Sequence, residues 1–138
     1  MATDNRTLSN LVRVGNVSSL NPQNCTARVV FEDKQAGGQS LVSAEMPVLS
    51  RGSAGNRDYW LPDVGDQVVC LILPNGKNQG FILGTFFSEA QPPNSTNGDI
   101  RRIDFGDGSF VEFNRATGGL TIQCTGPVVI NGSTVNIN

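Results

Sequence analysis

The chain has 138 residues, with ten Lys+Arg against twelve Asp+Glu and a formal net charge of −2. That length supports one domain plus an appendage with a real core, and so even a charge balance leaves no basic block as a nucleic-acid footprint. The sequence contains no His, which removes the commonest general base and the commonest metal ligand together.

Sixteen Gly and seven Pro punctuate short apolar runs, and few stretches favour a helix, so the sequence reads as all-β. Residues 1–10 read as an N-terminal arm, and the one helix candidate is a weak segment from Thr7 to Leu11. Val12, Val14 and Val17 belong to a first strand that ends at the turn Asn21-Pro22. Thr26 to Phe31 is a second strand and, after a Gly37-Gly38 turn, Leu41 to Leu49 is a third. Gln67 to Leu73 is a nearly continuous apolar run, which predicts a strand buried on both faces. Asn75-Gly76 signals a tight turn, and Gly80 to Phe87 returns from it. Five strands with a long loop between the third and fourth predict a small closed barrel of the OB type over residues 11–88.

The stretch 89–99, with Pro92-Pro93 and few apolar residues, reads as a linker. Beyond it Ile103-Asp104-Phe105 and Phe110-Val111-Glu112-Phe113 flank Gly106-Asp107-Gly108, a strong hairpin signal. In the last twenty residues Leu120, Ile122, Val128, Ile130, Val135 and Ile137 alternate with mostly polar neighbours in segments broken by Gly126-Pro127 and Gly132. Strands so short cannot bury an apolar stripe alone, and no partner is evident within the chain. The expected neighbours are copies of the same chain.

Chemistry-bearing constellations are thin. Cys25, Cys70 and Cys124 are about fifty residues apart, too far for a CxxC pair, and each lies among apolar residues, which predicts buried inert thiols folded in a reducing compartment. The N-terminus lacks the apolar core of a signal peptide and no apolar run is long enough to span a bilayer, so the five Asn-x-Ser/Thr sequons are expected to carry no sugar. Asp104, Asp107 and Glu112 are the best candidates for paired carboxylates, but turn geometry accounts for Asp107-Gly108 and the spacing does not make a calcium loop. Asp63 and Asp66 bracket another turn. With Lys34 and Lys77 in polar turns as the only bases, a Ser nucleophile has no activator. Gly52, Gly55 and Gly65 are not followed by the Lys-Ser/Thr of a phosphate loop. No catalytic residue, cofactor or metal is expected.

The distinctive stretch runs Arg51-Gly52-Ser53-Ala54-Gly55-Asn56-Arg57-Asp58-Tyr59-Trp60-Leu61-Pro62-Asp63-Val64-Gly65-Asp66-Gln67-Val68. It resembles the signature loop of the phage baseplate assembly protein V family, the central spikes of contractile tails. The matching positions are Arg51, Arg57, Trp60, Pro62, Gly65 and Gln67. Leu11 to Gly15, Phe81 to Ser88 and Phe105 to Phe113 are similar to further family stretches in the same order, so the resemblance spans about residues 11–124. It implies an N-terminal OB-fold, a linker, and a stem over 100–138 in which three chains intertwine as a β-helix or prism. The homotrimer would then have Leu120, Ile122, Val128, Ile130, Val135 and Ile137 on its threefold axis. Trp60 is expected to be largely buried, on the barrel or against a neighbouring chain.

The same resemblance implies a non-enzymatic virion protein, assembled in the host cytoplasm, that docks on the baseplate hub and transiently pierces the bacterial outer membrane on sheath contraction. Many family members end in an iron-binding His-x-His tip, and this sequence departs from them in having no His. Either the sequence is cut or the spike is short and capped by a separate tip protein. The alternative reading is an OB module that binds nucleic acid or oligosaccharide, which would want a basic groove with exposed aromatics. Some spikes carry a lysozyme domain, and no insert of that size is present.

Overall fold

Residues 10–36 and 39–138 are described by the computed structural model. They divide into two compact units, one running through Phe87 and the other from Ser88 to Asn138. The proposed N-terminal arm, most of the Thr7–Leu11 helix candidate and the Gly37-Gly38 turn lie outside the described residues, although Asn10 and Leu11 are helical.

The first unit is built from β1 (Val12–Asn21), β2 (Thr26–Ala36), β3 (Gln39–Val42), β4 (Met46–Pro47), β5 (Gln67–Ile72) and β6 (Gly80–Thr85). They form one sheet in the order β3-β2-β1-β5-β6, with β4 pairing β2. Alternation decides which side chains go inside. Val17, Ala27, Val29, Phe31, Met46, Val68, Cys70, Ile72 and Ile82 form the buried core. The backbones approach closely at Gly15, where an added Cβ would collide with the side chains of Val29 and Phe31. Beyond β4, a parallel bridge joins Val48 to Ile82, and the Leu49 N–H donates to the Ile82 carbonyl at 3.1 Å. The sheet thereby curls until the β4 side meets β6 around the core. Ser43 is buried yet satisfied: its hydroxyl accepts from the Val29 N–H at 2.9 Å and donates to the Ala44 carbonyl at 2.7 Å.

Two strand readings need correction. The third predicted strand is interrupted, because the Ser43 hydroxyl meets the Val29 N–H and a separate β4 then forms after Glu45. The apolar run at β5 is not covered on both faces. Val68, Cys70 and Ile72 are buried, whereas Leu71 stays 39% exposed and Val69 half-buried, because no described element of this unit covers the outer face. An apolar run signals a strand without saying what lies above it.

The second unit contains β7 (Ile100–Asp104), β8 (Phe110–Asn114) and β9 (Gly119–Gln123), paired antiparallel in that order. The first turn is held by Asp107, whose carboxylate accepts from the Ser109 N–H at 2.8 Å and from the Thr125 hydroxyl at 2.9 Å. In the second turn the Asn114 side chain accepts from the Ala116 N–H at 2.9 Å, and the Gly118 N–H reaches the Asn114 carbonyl at 2.8 Å. β9 therefore has an intrachain partner in β8, contrary to the expectation that it has none. After Gln123 no named strand forms, so the predicted strands around Val128–Ile130 and Val135–Ile137 are absent from the single chain. No residue from Ser88 to Asn138 is buried.

Candidate assembly surfaces

A three-stranded sheet has two faces, and in the second unit they differ: one is apolar except for Arg101, which sits opposite Phe113. The register sets Ile103 opposite Val111, Val111 opposite Ile122, and Phe113 opposite Leu120, which places all five apolar side chains on one face. Ile103 is 50% exposed, Phe113 41%, Leu120 63% and Ile122 55%. The opposite face is satisfied by itself. Arg102 stacks 3.8 Å over the Phe110 ring and donates to Asp104 at 2.9 Å and Glu112 at 3.0 Å. Asp104 also accepts from the Asn94 amide. The Arg102 hydrogen bond, with help from Asn94, holds the Asp104 carboxyl below its ordinary range. The backbone N–H of Ser109, then the Thr125 hydroxyl, do the same for Asp107. The three carboxylates singled out in the sequence thus serve the turn and a cross-strand ion network.

Of the six positions assigned to a threefold axis, Leu120 and Ile122 share this apolar face. Val128, Ile130, Val135 and Ile137 follow β9 outside any named strand and are 58%, 68%, 50% and 89% exposed. Sequence reading missed Ile103, Val111 and Phe113 as members of the face. The signal was available: a turn centred on Asp107-Gly108 sets Ile103 against Val111, and a turn ending at Gly118 sets Phe113 against Leu120.

In the first unit the signature loop is rigidly built although every residue from Ser50 to Trp60 is exposed. Asp58 clasps Arg51 twice, accepting from its backbone N–H at 2.9 Å and its Nε at 2.7 Å, and this pairing lowers the Asp58 pKa. Gly52 lies at φ +104°, and any Cβ there would run into the Asn56 carbonyl, so the tight return from Ser53 to Arg57 requires glycine. The Tyr59 hydroxyl donates to the Pro22 carbonyl at 2.8 Å and anchors the loop to the β1–β2 turn. Pro62 is buried. The Gly65 N–H donates to the Val17 carbonyl at 2.8 Å, tying the loop's end to β1 before Gln67 opens β5.

This framing leaves Trp60 59% exposed beside Leu49 and Leu83, so the first unit does not enclose the ring. Its own unit therefore leaves more than half of the residue's surface open, short of the burial expected for it. The outer faces of β1, β5 and β6 add further exposed apolar groups, Val12, Val14, Leu71 and Phe81. The thiols also differ from the expectation. Cys70 is buried and its pKa is pushed up to about 11 by desolvation, Cys25 is half-buried in a turn, and Cys124 is exposed just beyond β9. Among the described residues no cluster of His, Cys, Asp or Glu has metal-binding geometry.

No protein-family model matches the chain. Comparison with curated proteins gives a match at 29% identity over 132 residues and 93% of this chain, to the "Spike protein" of Escherichia phage P2. The chain is a relative of a phage spike protein. That coverage takes in both units, the loop as well as the three-stranded sheet. The chain spans 58% of the P2 spike protein's own length.

Proposed function

We propose that three copies of this chain form the central spike of a contractile phage-type tail. The observation that carries the reading is the uncovered apolar face of Ile103, Val111, Phe113, Leu120 and Ile122, on a unit in which nothing is buried. A three-stranded sheet of this kind is marginal in water by itself, and a largely apolar face left open, with Arg101 its one charged member, calls for a partner. Three symmetry-related copies close such faces into a prism, and the apolar positions from Val128 to Ile137 then gain in the neighbouring chains the strand partners that one chain lacks.

In this proposal residues 11–88 are an OB-type barrel, residues 89–99 a linker and residues 100–138 the stem. The barrel's exposed Trp60 packs against a neighbouring chain. The assembled spike docks on the baseplate hub, sits in the virion after assembly in the host cytoplasm, and pierces the outer membrane without catalysis. Interlocked strands suit such a role, because one chain cannot open locally without breaking its neighbours' ladder, and this confers kinetic stability. The test is the solution mass of the chain by light scattering. Three times 14.7 kDa is expected, and a stable 14.7 kDa species at micromolar concentration would refute the reading.

A further inference from the structure

The first unit has a cavity of about 200 Å³ between the entry to β1 and the β5–β6 turn. Its polar lining is Arg13, Asn10 and Asn78, and Leu11, Leu73 and Pro74 supply apolar walls. Arg13 alternates with Val12 and Val14, so it faces inward with Gly15 and Val17, and its guanidinium lies 5.2 Å over the ring of the fully buried Phe31. The charge is poorly met there. Arg13 forms no ion pair among the described residues, and its one hydrogen bond, from a terminal nitrogen to Asn78 Oδ1, is long at 3.5 Å. Its Nε is sealed from water without a partner, and so is Asn10 Oδ1. Asn78 itself is held at φ +52°, in the left-handed region, where it presents that oxygen.

A half-buried cation with one weak hydrogen bond and one orphaned N–H is costly to keep unless an anion completes it. The complement to a guanidinium edge is a carboxylate, which takes two parallel N–H···O bonds. The apolar walls argue against a bare ion and for an acid on a short methylene stem, which such walls would cover.

We infer that this pocket receives the carboxylate side chain of a Glu or Asp from another protein chain, and that Arg13 holds it. That the other chain belongs to a baseplate rests on the spike reading, whereas the carboxylate chemistry does not.

The test follows the Arg13 Nε–H signal by NMR in the full chain, at constant ionic strength. The probes are N-acetyl-glutamate N-methylamide, its glutamine counterpart and sodium acetate. The glutamate probe should shift the signal saturably, and the other two should bind at least about tenfold more weakly, since a charge-assisted bidentate pair or a buried stem is lost. Arg13→Lys, read at the Asn78 side-chain amide that lines the same pocket, should abolish the tight response while leaving the fold unchanged by circular dichroism. Equal binding of the glutamine probe, or no shift with any probe, overturns the inference. Equal binding of acetate converts the pocket into a site for free small carboxylates and overturns the docking claim. If Asp4→Asn or Asp33→Asn makes the glutamate probe bind tighter, the pocket serves the chain's own acid, and the inference fails. The mass of the same sample separates the two readings. A trimer with a silent Arg13 sinks the pocket alone, and a responsive monomer sinks the trimer alone.

Discussion

Ile122→Asp is the substitution that loads the proposed threefold contact most directly. In the single chain Ile103, Phe113, Leu120 and Ile122 each keep between 41% and 63% of their surface exposed. Covering what remains is worth about half of the ~1.5–3 kcal/mol for burying such a side chain completely, or about 1 kcal/mol each. Four positions in three chains give about 12 kcal/mol, set against roughly 4–15 kcal/mol of lost freedom and side-chain ordering for each of the two associations that build a trimer. These contacts therefore leave no large surplus, and one well-placed charge decides the outcome. Ile122→Asp forfeits about 1 kcal/mol per chain and adds the desolvation of a carboxylate, several kcal/mol in each of three copies on a dry axis. The variant is expected to sediment and scatter as a 14.7 kDa monomer at concentrations where the parent is three times that mass, with its β circular dichroism retained. Thr121→Lys is the control. It changes the other face, directly across from Glu112, where a cation is welcome. If Ile122→Asp assembles as well as the parent, or Thr121→Lys is the one that dissociates, the assigned face is wrong.

Two further outcomes follow from groups placed by the structure. All three cysteines should react with a thiol reagent in denaturant without reductant; in the native chain Cys124 should react first and Cys70 last, since Cys70 is buried with a pKa of about 11. Equal native rates for Cys70 and Cys124 would contradict the packing. The ion network of the second unit should also show in acid. Asp104 and Asp107 have folded pKa values below their ordinary 3.8, so their contribution is complete above that pH and disappears as pH falls through the lower folded values. The second unit should therefore loosen in acid below about pH 4, by hydrogen exchange of β7 and β8. Arg102→Gln should shrink that acid response. An unchanged response would mean that Arg102 is not what depresses Asp104.

Much of the strand layout was legible because turn chemistry and alternation are local. Asn21-Pro22, Asn75-Gly76 and Asp107-Gly108 each fall where one strand hands over to the next. Solvent exposure was not legible in the same way. The run at β5 is apolar on both sides, and the sequence alone does not say whether its outer face is covered by the same chain or by another. Leu71 and Val69 fall on the uncovered side. Trp60 raises the same difficulty. Pro62, Gly65 and the Tyr59 hydroxyl fix its loop firmly, and firm framing of a loop is compatible with burial or with presentation. In this chain the frame presents the ring.

The two faces of the C-terminal sheet carry the argument furthest. Arg102, Asp104, Glu112 and Phe110 answer one another across β7 and β8, so that face needs nothing from outside and can stand in water. The other face has no such closure. Ile103, Val111, Phe113, Leu120 and Ile122 come from all three strands and form an apolar surface with no covering layer in the unit, bordered by Arg101 beside Phe113. A sheet that is complete on one side and open on the other has a defined orientation in any assembly: the ion network outward, the apolar row inward. With cyclic symmetry, each copy offers its own apolar face to the shared axis, so the faces close on one another and no second surface type is required. In the proposed trimer, the apolar positions from Val128 to Ile137 would continue the same inward row beyond β9 and take their strand partners from the neighbouring chains.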